Sequence, residues 1–324
     1  MSTLGRELSD CYLRAVRRHV KDAPEYALLD YPDHTNVGDA AIFLGELAAL
    51  GQFGVGTPNY VGTFASRLED IAAFCPEGPL LLHGGGNFGD LWPRHQDYRI
   101  AILERYKHRR IVQLPQSVHF LKQGIKDQTA RAIAAHGDFH LMVRDRTSLE
   151  LARRSFDCDV ELVPDAAHTL SVTTSGAADE VVTIARRDKE RQGIDIGRAM
   201  APFGPVEDWP ETREARTQAS RGLIDVLRTM IPFGRQQAME ARVRRFIGTA
   251  EDRFAGGIAL LERGEIIVSD RLHVHILCEL AQKPHYVLDN NYGKLGAYID
   301  TWGASSNTRR VSSIDELVGL IRSL

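Results

Sequence analysis

Short, uninterrupted apolar runs recur along the first half of the chain at 26–30, 60–63, 80–83, 110–115, 140–144 and 160–164. Each is too short for an ordinary helix and continuous enough to be a strand buried on both faces. Between them, apolar positions recur with helical spacing at 40–50, 98–107, 129–136 and 148–155. This alternation predicts βαβ units and a doubly wound parallel sheet, an α/β fold. Ahead of the first strand, Arg6, Arg14, Arg17 and Arg18 interrupt the apolar positions of 4–20. That pattern predicts an amphipathic helix and not a secretory leader.

The second half is less regular. A strand at 180–185 is followed by a polar, Arg-rich stretch over 186–220 containing Pro202, Pro205 and Pro210. A long polar segment inside a compact chain predicts a functional loop, here a mobile lid. Helical spacing returns at 221–230 and 235–263, then a strand at 265–269, a helix at 272–282, a strand at 285–288, and a last strand and helix within 310–324. Ser, Thr, Gly and Ala dominate 170–179, so the expected organisation is a domain over 1–175 and another over 176–324.

Composition narrows the function classes. The 324 residues carry a net charge of −3 with both signs interleaved, which creates no sustained field for a nucleic-acid backbone or an anionic membrane. An anionic ligand must therefore be held locally. Cys11, Cys75, Cys158 and Cys278 lie far apart and predict reduced thiols, and His34, His83 and His119 lack ligand spacing with carboxylates, so no metal site is expected. No segment reaches the roughly 20 apolar residues of a membrane span. The cytoplasm is the expected location.

The most informative stretch is Ser269-Asp270-Arg271-Leu272-His273, where one strand ends and a helix begins. Ligands of open α/β sheets bind at this carboxyl edge, and a helix N-terminus presents N–H groups and partial positive charge. Arg271 adds a fork of donors and His273 a titratable ring, a combination suited to a small polyanion. The plainer alternative is a helix capped by Ser269 or Asp270, with His273 and His275 as ordinary surface or core residues. Asp33-His34-Thr35-Asn36-Val37-Gly38-Asp39 follows the first strand, and Asp39 either caps the next helix or points into a cleft. His83-Gly84-Gly85-Gly86-Asn87-Phe88-Gly89-Asp90 lets backbone approach a ligand closely, without the spacing of a dinucleotide or nucleoside triphosphate loop. Gln113-Leu114-Pro115-Gln116-Ser117 offers groups suited to sugar hydroxyls, or a structural turn. Arg144 with Asp145 (a local ion pair, or cleft residues), Asp165, and Arg186 with Arg187 end other strands.

Taken in order, Asn36-Val37-Gly38-Asp39, Gly84-Gly85-Gly86-Asn87, Val163-Pro164-Asp165 and Ser269-Asp270-Arg271-Leu272-His273 resemble the polysaccharide pyruvyltransferase family. Ile276-Leu277-Cys278, Lys283-Pro284, Leu288-Asp289-Asn290 and Tyr292-Gly293-Lys294 resemble its exopolysaccharide ketal-pyruvate transferase branch. The resemblance implies two Rossmann-like domains facing across a cleft, as in GT-B glycosyltransferases. It implies phosphoenolpyruvate as donor and co-substrate, no other cofactor, and transfer of pyruvate to an exopolysaccharide sugar as a ketal with release of phosphate. Arg271 and Arg186, with Ser269 and the helix start at Leu272, become the expected donor site. Asn36, Gly85, Gly86, Asn87 and Gln116 become the acceptor side. His273 is the expected acid, Asp39 the expected base and Asp165 its reserve. The acceptor implied is a lipid-linked oligosaccharide or polysaccharide repeat unit, which would bring the enzyme to the inner membrane face. A GT-B glycosyltransferase using a nucleotide sugar, and a catalytically silent sugar-binding subunit, are the competing readings.

Overall fold

The computed structural model describes residues 2–21, 23–176, 179–186, 195–210, 234–289 and 293–324. Each apolar run of the first half is a strand: β1 (Ala27–Leu29), β2 (Tyr60–Gly62), β3 (Leu80–Leu82), β5 (Ile111–His119), β6 (Phe139–Val143) and β7 (Asp159–Leu162). They pair in parallel in the order β2-β1-β3-β5-β6-β7. Leu28, Leu29, Leu80, Leu81 and Leu82 are fully buried, as strands of a parallel sheet covered by helices must be. The helices are α1 (Thr3–Val20), α2 (Val37–Gln52), α3 (Leu68–Phe74), α4 (Pro93–Arg105), α5 (Gln123–His136) and α6 (Arg146–Ser155); only the seven-residue α3, too short to show a period, lacked a sequence signal.

Two local features differ from expectation. The glycine loop is itself a strand, β4 (Gly85–Gly89), lying alongside the far end of β5. A Cβ on Gly89 would stand 1.7 Å from the His119 carbonyl oxygen, so only glycine permits this pairing. The strand expected to stop at Pro115 runs on to His119, with its register against β6 shifting between Gln113 and Gln116. Such an irregularity is where a strand accommodates a proline, which has no N–H to give.

The second half builds another parallel sheet from β8 (Asp179–Ile184), β9 (Val206–Glu207), β10 (Gly264–Ser269), β11 (His285–Leu288) and β12 (Thr308–Val311), ordered β12-β11-β10-β8-β9. Its helices are α7 (Ile196–Met200), α8 (Arg235–Glu262), α9 (Leu272–Ala281), α10 (Lys294–Trp302) and α11 (Ile314–Ile321). The described part of the polar stretch, 195–210, is not a structureless loop: it forms α7 and then β9, which pairs Thr183 with Val206 and Ile184 with Glu207. The rest of the expected lid, 187–194 and 211–220, and the helix expected over 221–230 lie outside the described residues.

Strand order fixes where a ligand can sit. The strand order reverses between β1 and β3 in the first sheet and between β8 and β10 in the second. A crevice opens beyond the carboxyl ends of strands at such a switch point. Residues Asp30 and His83 follow one pair of strands, and Arg186 and Asp270 the other. All four line a single cleft.

Two devices tie the halves together. Helix α8 gives Met239, Val243, Phe246 and Ala250 to the first core and Leu260 and Leu261 to the second; Tyr31 stacks on Phe246 at 4.2 Å. At the chain crossover, a single 3₁₀ turn (Ala166–Thr169) places His168 against α10. There the Asp165 N–H donates to the Tyr298 hydroxyl, whose own hydrogen is given to His168 Nε2 at 2.9 Å. Burial holds His168 down to about 4. The unfolded chain thus takes up a proton at the ordinary value of 6.5 that the native state refuses until about 4, and stability falls as pH drops through that window. A His168→Gln variant should lose about 3 kcal/mol less than the parent between neutral pH and pH 4, read from urea unfolding at each pH. Equal losses would remove His168 from the account.

Candidate active site

The cleft has a volume of about 730 Å³. Arg186, Asp270, Arg271, Leu272 and His273 line it from the second sheet, and Asn36, Asp39, His83, Gly86, Asn87 and Arg144 from the first. Most of the expected site residues are therefore brought to one place. Ser269, Gly85, Gln116 and Asp165 stand behind its walls.

On the second-sheet side, α9 begins at Leu272 with Arg271 as its N-cap and no side-chain cap, so neither Ser269 nor Asp270 caps it. Ser269 instead fixes the strand end: its hydroxyl donates to the Ile184 carbonyl at 2.7 Å and accepts from the Arg271 N–H at 3.0 Å. It shapes the turn, and both of these hydrogen bonds stay within the protein. Asp270 accepts from the Arg186 N–H at 3.0 Å, which joins the two strand ends, while burial raises its carboxyl above the usual value. The buried Arg271 guanidinium pairs with Asp208 and lies 6.0 Å from the Trp209 ring centroid. Sequence reading missed Asp208 and Trp209; they arrive because β9 ends at the same edge, and two strand residues within a polar stretch leave no periodicity to read.

His273 projects from the first turn of α9. Its Nε2 lies 3.3 Å from Asp165 Oδ2, and the same oxygen accepts from Arg144 Nη1 at 2.6 Å. Asp165 Oδ1 is taken by the Ala167 N–H at 3.0 Å. Burial would raise the Asp165 carboxyl, but His273, Arg144 and the Ala167 N–H outweigh it and hold the group far below the ordinary range. Asp165, expected as a reserve base, is buried and has both carboxylate oxygens engaged by protein groups. The expected local pair of Arg144 with Asp145 is also corrected. Asp145 caps α6 by accepting from the Ser148 N–H and takes the Ser117 hydroxyl hydrogen at 2.8 Å, while Arg144 Nε donates to that hydroxyl at 3.0 Å.

On the opposite wall, Asn36 caps α2 by accepting from the Gly38 N–H at 2.9 Å, leaving Asp39 in the first turn. Capping therefore does not explain Asp39. Burial opposes its charge, but His34, His273, His83 and Arg144 prevail and hold its carboxyl below the ordinary value. It stays ionised at neutral pH. The amides expected to meet a sugar are engaged elsewhere. Gln116 Nε2 donates to the Asn87 side-chain oxygen and to the His83 carbonyl, and its oxygen accepts from the Asn87 N–H. Asn87 Nδ2 donates to Asp30 at 3.1 Å, and its oxygen also accepts from Arg99. These amides hold the wall and position Asp30, which has the left-handed φ of 65° and meets His95 Nδ1 at 2.7 Å. A Cβ on Gly85 would lie 3.4 Å from Asp39 Oδ1, so that glycine packs behind the carboxylate.

Lys294 lines the cleft from the start of α10. A Cβ on Gly86 would stand 3.3 Å from Lys294 Nζ and 3.2 Å from Arg144 Nη2. Two cations thus meet at the glycine strand; the motif Tyr292-Gly293-Lys294 carried the family resemblance, but no role in the cleft was expected of Lys294. Away from the cleft, His275, Glu279 and His285 are buried with ligand atoms within 4.8 Å of one another. Their atoms already serve one another: His285 Nδ1 donates to the Lys283 carbonyl, His275 Nδ1 meets His285 Nε2 at 2.9 Å, and Thr308 bonds both His285 and Glu279. Among the described residues, no helix is long and apolar enough to cross a membrane.

The chain is 29% identical over 290 residues to a Bacillus subtilis protein named "Putative pyruvyl transferase EpsO", covering 86% of this chain and 85% of that one. It is 28% identical over 313 residues to "Pyruvyl transferase 1" of Schizosaccharomyces pombe, covering 91% and 75%. The crystal structure of an uncharacterised Klebsiella pneumoniae protein shares the fold with a TM-score of 0.60 at 14% identity, over 97% of this chain and all of that one. Residues 36–292 match the model of the family described as polysaccharide pyruvyl transferase, a span that includes most of the residues lining the cleft, and the chain belongs to that family.

Proposed function

We propose that this enzyme transfers pyruvate from phosphoenolpyruvate to two hydroxyls of an exopolysaccharide sugar, forming a ketal and releasing phosphate. The observation that carries the reading is the cleft's polarity. Arg271 and Arg186 stand at the second-sheet edge, Arg144 and Lys294 beside Gly86, and Asp39 opposite His273. Phosphoenolpyruvate has a phosphate and a carboxylate, and two guanidinium forks with a helix start between them suit those groups. Asp208 now pairs with Arg271; the donor's anion takes over that partner on binding. The two sheets facing across the cleft support a GT-B-like use of the fold, donor on the second sheet and acceptor on the first.

In the overall reaction the donor's methylene carbon gains a proton, C2 forms bonds to two sugar oxygens, and the C2–O bond to phosphate breaks with its electron pair leaving on phosphate. The two hydroxyl protons end on the methyl carbon and the phosphate. His273, oriented by Asp165, serves as acid to the departing phosphate. Arg271 stabilises the charge that develops there. Asp39 orients the attacking hydroxyl; a carboxylate held below its usual range is a weak proton acceptor at neutral pH.

Phosphate release from phosphoenolpyruvate, measured with and without a sugar acceptor, tests the reading together with calorimetry against a UDP-sugar. Tight UDP-sugar binding with no phosphate release would replace it with nucleotide-sugar transfer. The acceptor proposed is a lipid-linked precursor, so that the enzyme works at the inner membrane face.

Gly38 supplies a further test. A Cβ there would come within 2.3 Å of His273 Nδ1, 2.6 Å of Cγ and 2.9 Å of Cβ. Because the root of that ring is fixed to α9, the imidazole must swing off Asp165. Gly38→Ala should cost about 1–3 kcal/mol of stability by overpacking and lower kcat about 100-fold, as loss of a positioned acid does. Unchanged kcat would mean His273 can work from another position.

A further inference from the structure

His83 is among the buried imidazoles that the steps above do not use. His83 follows β3 at the switch point, is 1% exposed and lines the cleft. Its Nδ1 is turned inward to Glu46 Oε2 at 2.8 Å. Glu46, in the middle of α2 and fully buried, is fixed by its other oxygen, which accepts from the Gly84 N–H at 2.8 Å. The His83 carbonyl is held by Gln113 and Gln116, and its N–H by Leu29. The backbone is thus fixed, and turning the ring would break its bond to Glu46. Its second nitrogen, Nε2, is shielded from water and has no hydrogen-bond partner among the described residues. A buried polar nitrogen left unpaired costs about 1–3 kcal/mol, and in a native protein it asks for an explanation.

The charge of the ring follows from its neighbours. Burial alone would strip its proton, but the Glu46 charge and hydrogen bond, with Asp39 and Asp30, outweigh burial and raise its pKa above the ordinary value. The groups facing it are Glu46 and Asp39 from α2, Asp30 from the end of β1 and His34 from the following loop. Asp39 feels both His83 and His273, so the carboxylate stands between two histidine–carboxylate pairs that serve one cleft. The reaction needs two proton deliveries, one to phosphate and one to carbon. His273 is on the donor-edge helix and accounts for the first.

We propose that Glu46 and His83 form the second acid–base dyad of the cleft, and that His83 Nε2 is the acid that protonates the methylene carbon of the donor. This rests on the phosphoenolpyruvate reading above. In the step, the C2=C3 electron pair takes the proton from Nε2, forming the new C–H bond and breaking N–H, which leaves C2 cationic. The first sugar oxygen bonds to C2 and its proton passes to Nε2, restoring the imidazolium. Glu46 only holds the ring and keeps its proton in place; it is a positioning residue.

The test compares the parent enzyme with His83→Gln and Glu46→Gln. His83→Gln should lower kcat by about 10²–10⁴-fold, the usual range for a general acid, with phosphoenolpyruvate affinity by calorimetry unchanged. In Glu46→Gln the high-pH fall of kcat should move to lower pH, because the ring has lost the charge that held its proton. A structural role alone would not move that limb. Parent transfer with an unaffected His83→Gln variant overturns this proposal alone, as does an unshifted limb in Glu46→Gln. Absence of any transfer by the parent enzyme overturns the donor reading and this proposal with it. Should the variants not fold, labelled-histidine NMR of the parent decides. A His83 ring that titrates above its ordinary value supports the dyad, and one that stays neutral across about pH 5–8 overturns it.

Discussion

Replacing Arg271 by alanine is expected to lower pyruvate transfer about 10³-fold, the upper range for removal of one preorganised charge from a developing anion. The guanidinium is buried at the head of α9, clamped by Asp208 and set over Trp209. Its removal does two things. It deletes a donor fork, and it leaves Asp208 without the guanidinium, where that carboxylate repels the incoming phosphate. Donor affinity should therefore fall with kcat, and an Asp208→Ala change added to Arg271→Ala should recover part of the affinity while kcat stays low. Arg271→Lys keeps the charge but not the planar fork and should recover little. Steady-state rates with calorimetric donor titrations check each point; an Arg271→Ala enzyme with near-normal turnover would place the donor elsewhere.

The second large effect concerns stability. Arg144→Met should cost about 3–5 kcal/mol, because it takes the guanidinium from the buried Asp165 carboxylate and leaves it only His273 and the Ala167 N–H. Arg144 is 3% exposed and Asp165 1% exposed, with 2.6 Å between Nη1 and Oδ2. The pair Arg144→Met with Asp165→Asn should be more stable than Arg144→Met alone, since no buried carboxylate is then left without its guanidinium; a double-mutant cycle in urea reads this directly. A single-variant loss under about 1 kcal/mol would show that the pair behaves like a surface ion pair. Activity should suffer in both variants, because Asp165 also orients His273.

Much of this site was legible before folding. Strands were readable because a parallel sheet buries both faces, so 26–30 and 80–83 carry unbroken apolar runs. Once their ends were known, the carboxyl-edge rule pointed to Arg271, His273, Arg186 and Asp39, and the structure brings these four to one cleft. The same rule put Ser269 and Asp165 at or just past strand ends, correctly as to place, whereas Gln116 lies inside β5. What each faces depends on partners remote in the chain. Asp165 meets His273, 108 positions away, and Asn87 absorbs both the Gln116 amide and Arg99. Strand-end position identifies an edge but not which polar groups are already taken.

The sequence by itself determined the α/β class, most of the strands and the family motifs, because periodicity, chain reversal and glycine requirements are local properties of neighbouring residues. Tertiary structure alone decided that Asp165 supports His273, that Asp208 and Trp209 close around Arg271, and that His83 stands on Glu46 beside Asp39. Those facts depend on sheet order and on the crossing of α8 between the two cores, where desolvation and charge pairing act between groups that no local pattern connects.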